Sequence, residues 1–261
     1  MNKTNHPYHI VTFSPWPILL SINLILLLIR IIKIFYQYNI HLLIISLINT
    51  NIILFQWWRD VIREGTFQGI HTIIIIKNLK LGIILFIISE IFFFISLFWT
   101  YFHSSLSPSI EIGIIWPPKN INILNPYRIP LLNSIILISS GITITWSHHR
   151  LIIKNKIISI LTLIQTIILS LIFTSCQIYE YFEISFTIAD SIFGSIFFLT
   201  TGFHGLHVII GTIFLITCLI RLFNNHFSRK HHFGYEAAIW YWHFVDIVWL
   251  FVYTWIYWWS F

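Results

Sequence analysis

The sequence predicts an all-α membrane protein with seven transmembrane helices. Of its 261 residues, 57% are hydrophobic and only 9% are charged, and the mean hydropathy is +0.83. A soluble domain carries roughly 25% charged residues. Seven separate apolar runs provide the second observation, because a helix needs about 20 apolar residues to cross the roughly 30 Å hydrocarbon layer. Together the composition and the runs predict a polytopic membrane protein.

The seven apolar runs differ in how clearly they predict a membrane span. The first two are short; the first contains Arg30 and Lys33, and the second is the least certain span. The longest break is the segment 107–130, whose five prolines exclude a continuous helix. The fifth run ends in the acidic segment 179–186. The predicted spans are residues 17–34, 40–55, 81–105, 131–146, 157–178, 192–220 and 237–258.

The basic residues predict how the chain is oriented in the membrane. With seven spans, eleven of the 15 Lys and Arg residues fall on the N-terminal side, Lys3 among them. Because basic loops stay on the side from which a membrane protein inserts, we expect the N-terminus on that side and the C-terminus opposite. The first residues lack the pattern of a secretory signal or a transit peptide, so we expect insertion from the compartment that makes the chain.

Charge and cysteine content exclude several function classes. The net charge of +6 and the pI near 9.4 come from cations in short loops between apolar runs, so we expect no nucleic-acid partner. Cys176 and Cys218 both lie within apolar runs. Their spacing predicts neither a disulfide framework nor a metal site.

Glu90 is a carboxylic acid in the middle of the third apolar run. An ionised carboxylate at that depth costs several kcal/mol, so the acid should contact protein or water, bind a partner or stay protonated. Two interpretations follow. Glu90 is either part of a proton-linked site or a neutral acid that is hydrogen-bonded inside the helix bundle.

Four more polar residues are expected near mid-depth: His204 and His207 in the sixth run, and His243 and Asp246 in the seventh. Each pair is three residues apart and shares a helix face. Because the two helices are adjacent and antiparallel, the pairs could meet each other and Glu90. A polar packing cluster that fixes the helix register is favoured over a bis-His haem or a metal, since Trp, Phe and Tyr fill the space that a haem ring needs.

Two His-His pairs lie beyond the ends of the apolar runs, at residues 148–149 and 231–232. The first pair precedes a segment rich in Lys and Arg, and the second pair follows one. We therefore expect all four histidines in solvated loops.

A lipid-binding edge is predicted after the second run, where the segment 56–69 has the composition of an interfacial helix end. Its aromatic and cationic residues suit an anionic lipid headgroup, although ordinary anchoring at the interface explains the same composition. Arg221 with His226 repeats the pattern more weakly. The residues of the edge are Trp57, Trp58, Arg59, Arg63 and His71.

These residues occur in sequence motifs that resemble cytochrome c oxidase subunit III of mitochondria. The motifs run in order along the whole chain, from SPWP at Ser14 and QWWRDVIRE at Gln56 to LFIISE at Leu85. The most specific are TGFHGLHVIIG at Thr201 and WYWHFVD at Trp240.

The resemblance implies an arrangement of two plus five helices. The first two helices, in residues 1–70, lean away from helices three to seven, in residues 71–261, and leave a cleft that holds phospholipids. The family's subunit carries no haem or copper; these cofactors belong to partner subunits. It packs against subunit I of a complex that also contains subunit II and accessory subunits, reduces oxygen with electrons from cytochrome c and pumps protons. The implied location is the mitochondrial inner membrane, with the N-terminus in the matrix.

The resemblance also implies roles for single residues. Glu90 corresponds to a buried carboxylate that reacts with carbodiimides, and Arg221 to part of a cardiolipin contact. The loop around Ile114 and Lys119 departs from the family pattern. The residues that would border the lipid cleft are Trp58, Arg63, His71, Trp99 and His103.

Two other functions remain open at this point. One is subunit III of a quinol oxidase, from the same superfamily, and the other is a free-standing proton-linked transporter. Co-purification with a haem-containing complex that docks cytochrome c would distinguish subunit III of cytochrome c oxidase from both of these alternatives.

Overall fold

The computed structural model describes residues 8–37, 40–110, 113–119 and 121–261. All seven long helices in this part of the chain are long and apolar enough to cross a membrane, which confirms the all-α polytopic fold. Lys3, which counts in the charge asymmetry, lies outside the described residues. The helices are α1 (Trp16–Gln37), α2 (His41–Thr66), α3 (Ile73–Leu106), α4 (Ile129–Ile152), α5 (Lys156–Glu183), α6 (Ile192–Phe223) and α7 (Phe233–Val252), followed by a π-helical turn (Tyr253–Trp258).

The helices extend beyond the apolar runs that predicted them. Helix α2 continues through most of the predicted interfacial segment to Thr66, and α4 continues six residues past Trp146 to Ile152. Hydropathy marks only the part of a helix inside hydrocarbon, whereas backbone hydrogen bonding continues through the headgroup region. Helix α4 has Pro130 in its first turn, where the missing N–H costs no hydrogen bond.

The chain divides into two compact units, Met1–Leu79 and Lys80–Phe261. In the first unit, α1 and α2 form an antiparallel pair. Near its middle, the Asn23 side-chain amide donates to Thr50 Oγ1 at 2.6 Å and to the Ser46 carbonyl at 3.2 Å. At one end, Trp16 Nε1 donates to Asp60 Oδ2 at 2.7 Å. These polar contacts fix the register of the helix pair.

In the second unit, the core lies around α7. Trp242 and Trp249 are fully buried. The indole N–H of Trp242 donates to Ser140 Oγ at 2.9 Å, and that of Trp249 donates to Ser134 Oγ at 3.0 Å. These two tryptophans of α7 are therefore each anchored to a small hydroxyl residue of α4, which is how membrane helices combine close packing with hydrogen bonding.

Candidate functional site

Glu90 contacts a histidine of another helix. It lies at the middle of α3, and its Oε2 is 2.8 Å from Nε2 of His207 on α6. The other ring nitrogen of His207, Nδ1, lies 2.7 Å from the backbone carbonyl of Phe203. A carbonyl oxygen only accepts hydrogen bonds, so Nδ1 of His207 carries a hydrogen.

The contact between Glu90 and His207 must then contain one further proton. A neutral imidazole with its hydrogen on Nδ1 has a bare Nε2, which can accept from a protonated carboxylic acid. The alternative is an imidazolium that donates to a carboxylate. In both cases the pair has a net charge of zero, so it can lie within hydrocarbon without an isolated charge.

Aromatic rings enclose this pair on the His207 side. The ring centroids of Phe94, Phe244 and Tyr241 lie 5.2, 6.0 and 6.3 Å from that of His207. The side chain of Glu90 keeps 25% of its surface exposed, against 9% for His207. A reagent dissolved in the membrane can therefore reach the carboxyl group more easily than the imidazole.

His204 makes a different contact from His207, although both are buried on α6. Its Nε2 lies 3.2 Å from the Val245 carbonyl, to which it donates. The rings of Trp249 and Phe173 lie 5.1 and 5.7 Å from its ring. Aromatic rings of α5 and α7 therefore pack against the His204 ring.

His243 and Asp246 form a separate contact on α7. Nδ1 of His243 lies 3.6 Å from Asp246 Oδ2, and a β-carbon on Gly141 of α4 would lie 2.7 Å from that oxygen. Gly141 thus allows α4 and α7 to approach closely. The structure brings Glu90 together with His207 and His243 together with Asp246, and it places His204 on the backbone of α7.

Sequence reasoning missed a second buried acid, Glu180 on α5. Its side chain is fully buried, and the Tyr257 hydroxyl donates to its Oε1 at 2.5 Å. The amide of Gln177, one helical turn earlier, also faces Tyr257 at 3.4 Å. The signal is the spacing of two polar residues three apart, Gln177 and Glu180, but the acid was placed in the acidic segment 179–186 at the end of the fifth run.

At the predicted lipid edge, the structure distinguishes between the two arginines. Arg59 forms two hydrogen bonds to Asp60 Oδ1, at 3.1 and 3.2 Å. Arg63 lies 3.9 Å from the same oxygen and keeps 58% of its side chain exposed. Trp58 is 61% exposed. His71 packs against His9, with ring centroids 5.7 Å apart.

The remaining predicted lipid residues lie in the second unit. Trp99 and His103 are exposed on α3. The guanidinium of Arg221 stacks 4.4 Å from the Phe227 ring and is partly buried at the end of α6. Burial, and then the neighbouring Arg221 charge, lower the pKa of His226 below its ordinary value.

The expectation of solvated His-His pairs is wrong for two of the four histidines. His148 lies four residues before the end of α4 with a buried Nε2, and His232 is only 8% exposed where α7 begins. The reason is that α4 continues beyond its apolar run and brings His148 against His232, with ring centroids 5.3 Å apart. His149 is exposed, as expected.

Comparison with known proteins gives a match along almost the whole chain. The family model described as cytochrome c oxidase subunit III matches residues 6–261. Cytochrome c oxidase subunit 3 of Drosophila melanogaster is 55% identical over 257 residues, 98% of each chain. That of Locusta migratoria is 55% identical over 99% of this chain and 98% of the relative, and that of Paracentrotus lividus is 54% identical over 100% of both. With seven membrane-length helices and this full-length similarity, the chain belongs to the cytochrome c oxidase subunit III family.

Proposed function

We propose that the chain is a core subunit without its own redox centre in cytochrome c oxidase, the terminal respiratory complex. That complex reduces oxygen to water with electrons from cytochrome c and pumps protons. The observation that carries the proposal is the similarity to subunit 3 sequences over 98–100% of the chain. The proposed location is the mitochondrial inner membrane, with the N-terminus in the matrix and the C-terminus on the intermembrane side.

The distribution of buried residues supports a role in packing against partner subunits. Few of the membrane-spanning residues of α1, α2 and α3 are buried by other residues of this chain, whereas more than half of those of α7 are buried. Such apolar faces are covered by lipid or by other helices when the protein is in a membrane. We propose subunits I and II, accessory subunits and phospholipids as the molecules that cover them.

The contacts of the buried histidines support the assignment of haem and copper to the partner subunits. His207 uses one ring nitrogen for Glu90 and the other for the Phe203 carbonyl. His204 donates to the Val245 carbonyl and is enclosed by aromatic rings. An axial ligand needs a free nitrogen facing a space for the haem ring, and neither histidine offers both.

Purification tests the proposed function. The tagged chain, extracted in mild detergent, should co-purify with a haem-containing complex that oxidises reduced cytochrome c. After dissociation of that complex, the separated polypeptide should show no Soret absorption. A complex that oxidises quinol but not cytochrome c would indicate the quinol oxidase alternative, and a chain without any haem-containing partner would indicate the transporter.

We further propose that Trp58, Arg63 and His71 bind an anionic phospholipid. Arg63 supports the proposal because its side chain is 58% exposed and lies 3.9 Å from Asp60, whereas Arg59 forms two hydrogen bonds to Asp60. Each cation near a membrane surface contributes about 1 kcal/mol of attraction to anionic lipid. We also propose that Trp99 and His103 contact phospholipid, and that Arg221 and His226 contact cardiolipin.

Replacement of Arg63 by glutamine is expected to weaken lipid retention in the purified complex about fivefold, the equivalent of about 1 kcal/mol. Phospholipid mass spectrometry after detergent exchange measures this. Arg30→Gln is the matched control, because Arg30 donates to the Leu42 carbonyl at the other end of the α1–α2 pair. Equal lipid content in the two variants would argue against a site at Arg63.

A further inference from the structure

Two histidines and a glutamate converge at the end of the second unit that carries the α4–α5 and α6–α7 loops. His148 lies near the C-terminal end of α4, His232 directly precedes α7, and Glu236 lies in the first turn of α7. One ligand atom from each of the three side chains lies within 4.8 Å of the other two. Neither the subunit's proposed role nor the buried Glu90–His207 pair uses these residues.

Hydrogen bonding prepares His232 for metal binding. Its Nδ1 lies 3.0 Å from the Ser228 carbonyl and therefore donates to it. In the neutral ring this leaves the lone pair on Nε2. A backbone carbonyl that holds the other ring nitrogen is the usual outer-shell partner of a metal-bound histidine, since it fixes both the tautomer and the ring orientation.

The two carboxylate oxygens of Glu236 contact different residues. Its Oε2 lies 2.5 Å from Lys80 Nζ, and its Oε1 lies 3.3 Å from His232 Nε2. Two ligands bound tetrahedrally at about 2.0–2.1 Å from Zn²⁺ lie about 3.3 Å apart. The separation of Oε1 and Nε2 therefore already equals the edge of a zinc coordination tetrahedron, and the contact with Lys80 orients the carboxylate.

The environment of His148 favours a metal site over an ordinary ion pair. A network of Lys80, Glu236 and His232 satisfies its own charges without His148. Yet Nε2 of His148 is buried and has no hydrogen-bond partner among the residues that the structure describes, and its ring centroid lies 5.3 Å from that of His232. A buried ring nitrogen without a partner costs free energy, and a metal ion at this position would satisfy it.

We propose that His148, His232 and Glu236 bind a divalent transition-metal ion of the Zn²⁺ type, with water in the fourth position. Two imidazole nitrogens and one carboxylate oxygen are a common zinc donor set. The ion would tie the C-terminal end of α4 to the N-terminal end of α7. Such a clamp would act at the end of the same helix pair that the buried tryptophans hold together further along.

Zinc binding to the intact, detergent-solubilised complex tests this proposal. The complex is washed with EDTA, and exchangeable ⁶⁵Zn²⁺ is then measured by equilibrium dialysis. His148→Gln and His232→Gln should each remove one exchangeable Zn²⁺ per complex, or weaken its binding at least tenfold. His149→Gln and His231→Gln are matched controls, because they change the neighbouring histidine of each pair. Equal zinc binding by all four variants would refute the site.

A second measurement uses the unaltered complex, so it decides the question even if a ligand variant fails to assemble. Cryo-EM maps are compared after treatment with ZnCl₂ and with EDTA. The proposal requires a difference peak about 2.0–2.2 Å from Nε2 of His148, Nε2 of His232 and a carboxylate oxygen of Glu236. Absence of that peak in the zinc-treated map would overturn it.

Discussion

Replacement of Trp249 by alanine is expected to destabilise the second unit by about 3 kcal/mol. Trp249 is fully buried, packs edge-to-face on Phe173 with ring centroids 4.9 Å apart, and contacts His204 and Tyr257. Truncation of a buried tryptophan leaves a cavity, which lowers the free energy of unfolding of soluble proteins by about 3–5 kcal/mol. The part of this loss that comes from packing applies in a membrane as well. For a unit of this size, about 3 kcal/mol lowers the midpoint temperature by roughly 6–12 °C. The measurement is the temperature at which the subunit leaves the purified complex on native gels.

Two variants separate the contributions to this loss. Trp249→Phe keeps an aromatic ring in the core and loses the hydrogen bond to Ser134, so it should cost only about 1 kcal/mol. Trp146→Ala removes an indole that is 48% exposed, and should change stability by about 0.5 kcal/mol or less. Equal losses for Trp249→Ala and Trp146→Ala would contradict the central position of Trp249.

Replacement of Glu90 by glutamine is expected to abolish carbodiimide labelling of the subunit while oxygen reduction and most proton pumping continue. Carbodiimides add to a protonated carboxyl group, which glutamine lacks. Glutamine keeps a donor for Nε2 of His207, so the neutral hydrogen-bonded pair persists. In the described part of the chain, the hydrogen bonds from Glu90 end at the Phe203 carbonyl, which is not a proton carrier. Labelling with radioactive dicyclohexylcarbodiimide and pumping in reconstituted vesicles measure the two effects.

The control variants for Glu90 follow from its burial and its partner. Glu180→Gln should leave labelling intact, because the side chain of Glu180 is fully buried whereas that of Glu90 is 25% exposed. Glu90→Ala leaves Nε2 of His207 without a partner, and should cost about 1–3 kcal/mol. If Glu90→Gln eliminated pumping in a fully assembled complex, Glu90 would be an obligatory proton relay and the structural role would be wrong.

Hydropathy predicted the helices well because each of the seven spans is a continuous apolar run that must satisfy its backbone within itself. The ends were less predictable, because helical hydrogen bonding continues where hydropathy stops. This is why the position of His148 was misjudged. The run that predicts α4 ends at Trp146, yet the helix carries His148 two residues further into contact with His232.

The contacts between helices were harder to predict than the helices themselves. The spacing of His204 and His207 predicted that they share a helix face, and both are buried on α6. It could not indicate that one contacts the backbone of α7 and the other the acid of α3, because this depends on which helices are neighbours in space. Glu180 shows the same limit, since its partner Tyr257 lies 77 residues away, in the π-helical turn after α7.

The separation of Glu90 from His207 along the chain has a consequence for biosynthesis. The two residues are 117 positions apart, and α6 is made long after α3. At about 5–20 residues per second, His207 follows Glu90 out of the ribosome by roughly 6–23 s. During this interval α3 must enter the membrane with its acid unpartnered by α6. An ionised carboxylate without a partner is costly in hydrocarbon, so this cost falls on the insertion of α3, and the contact with His207 can offset it only once α6 is in place.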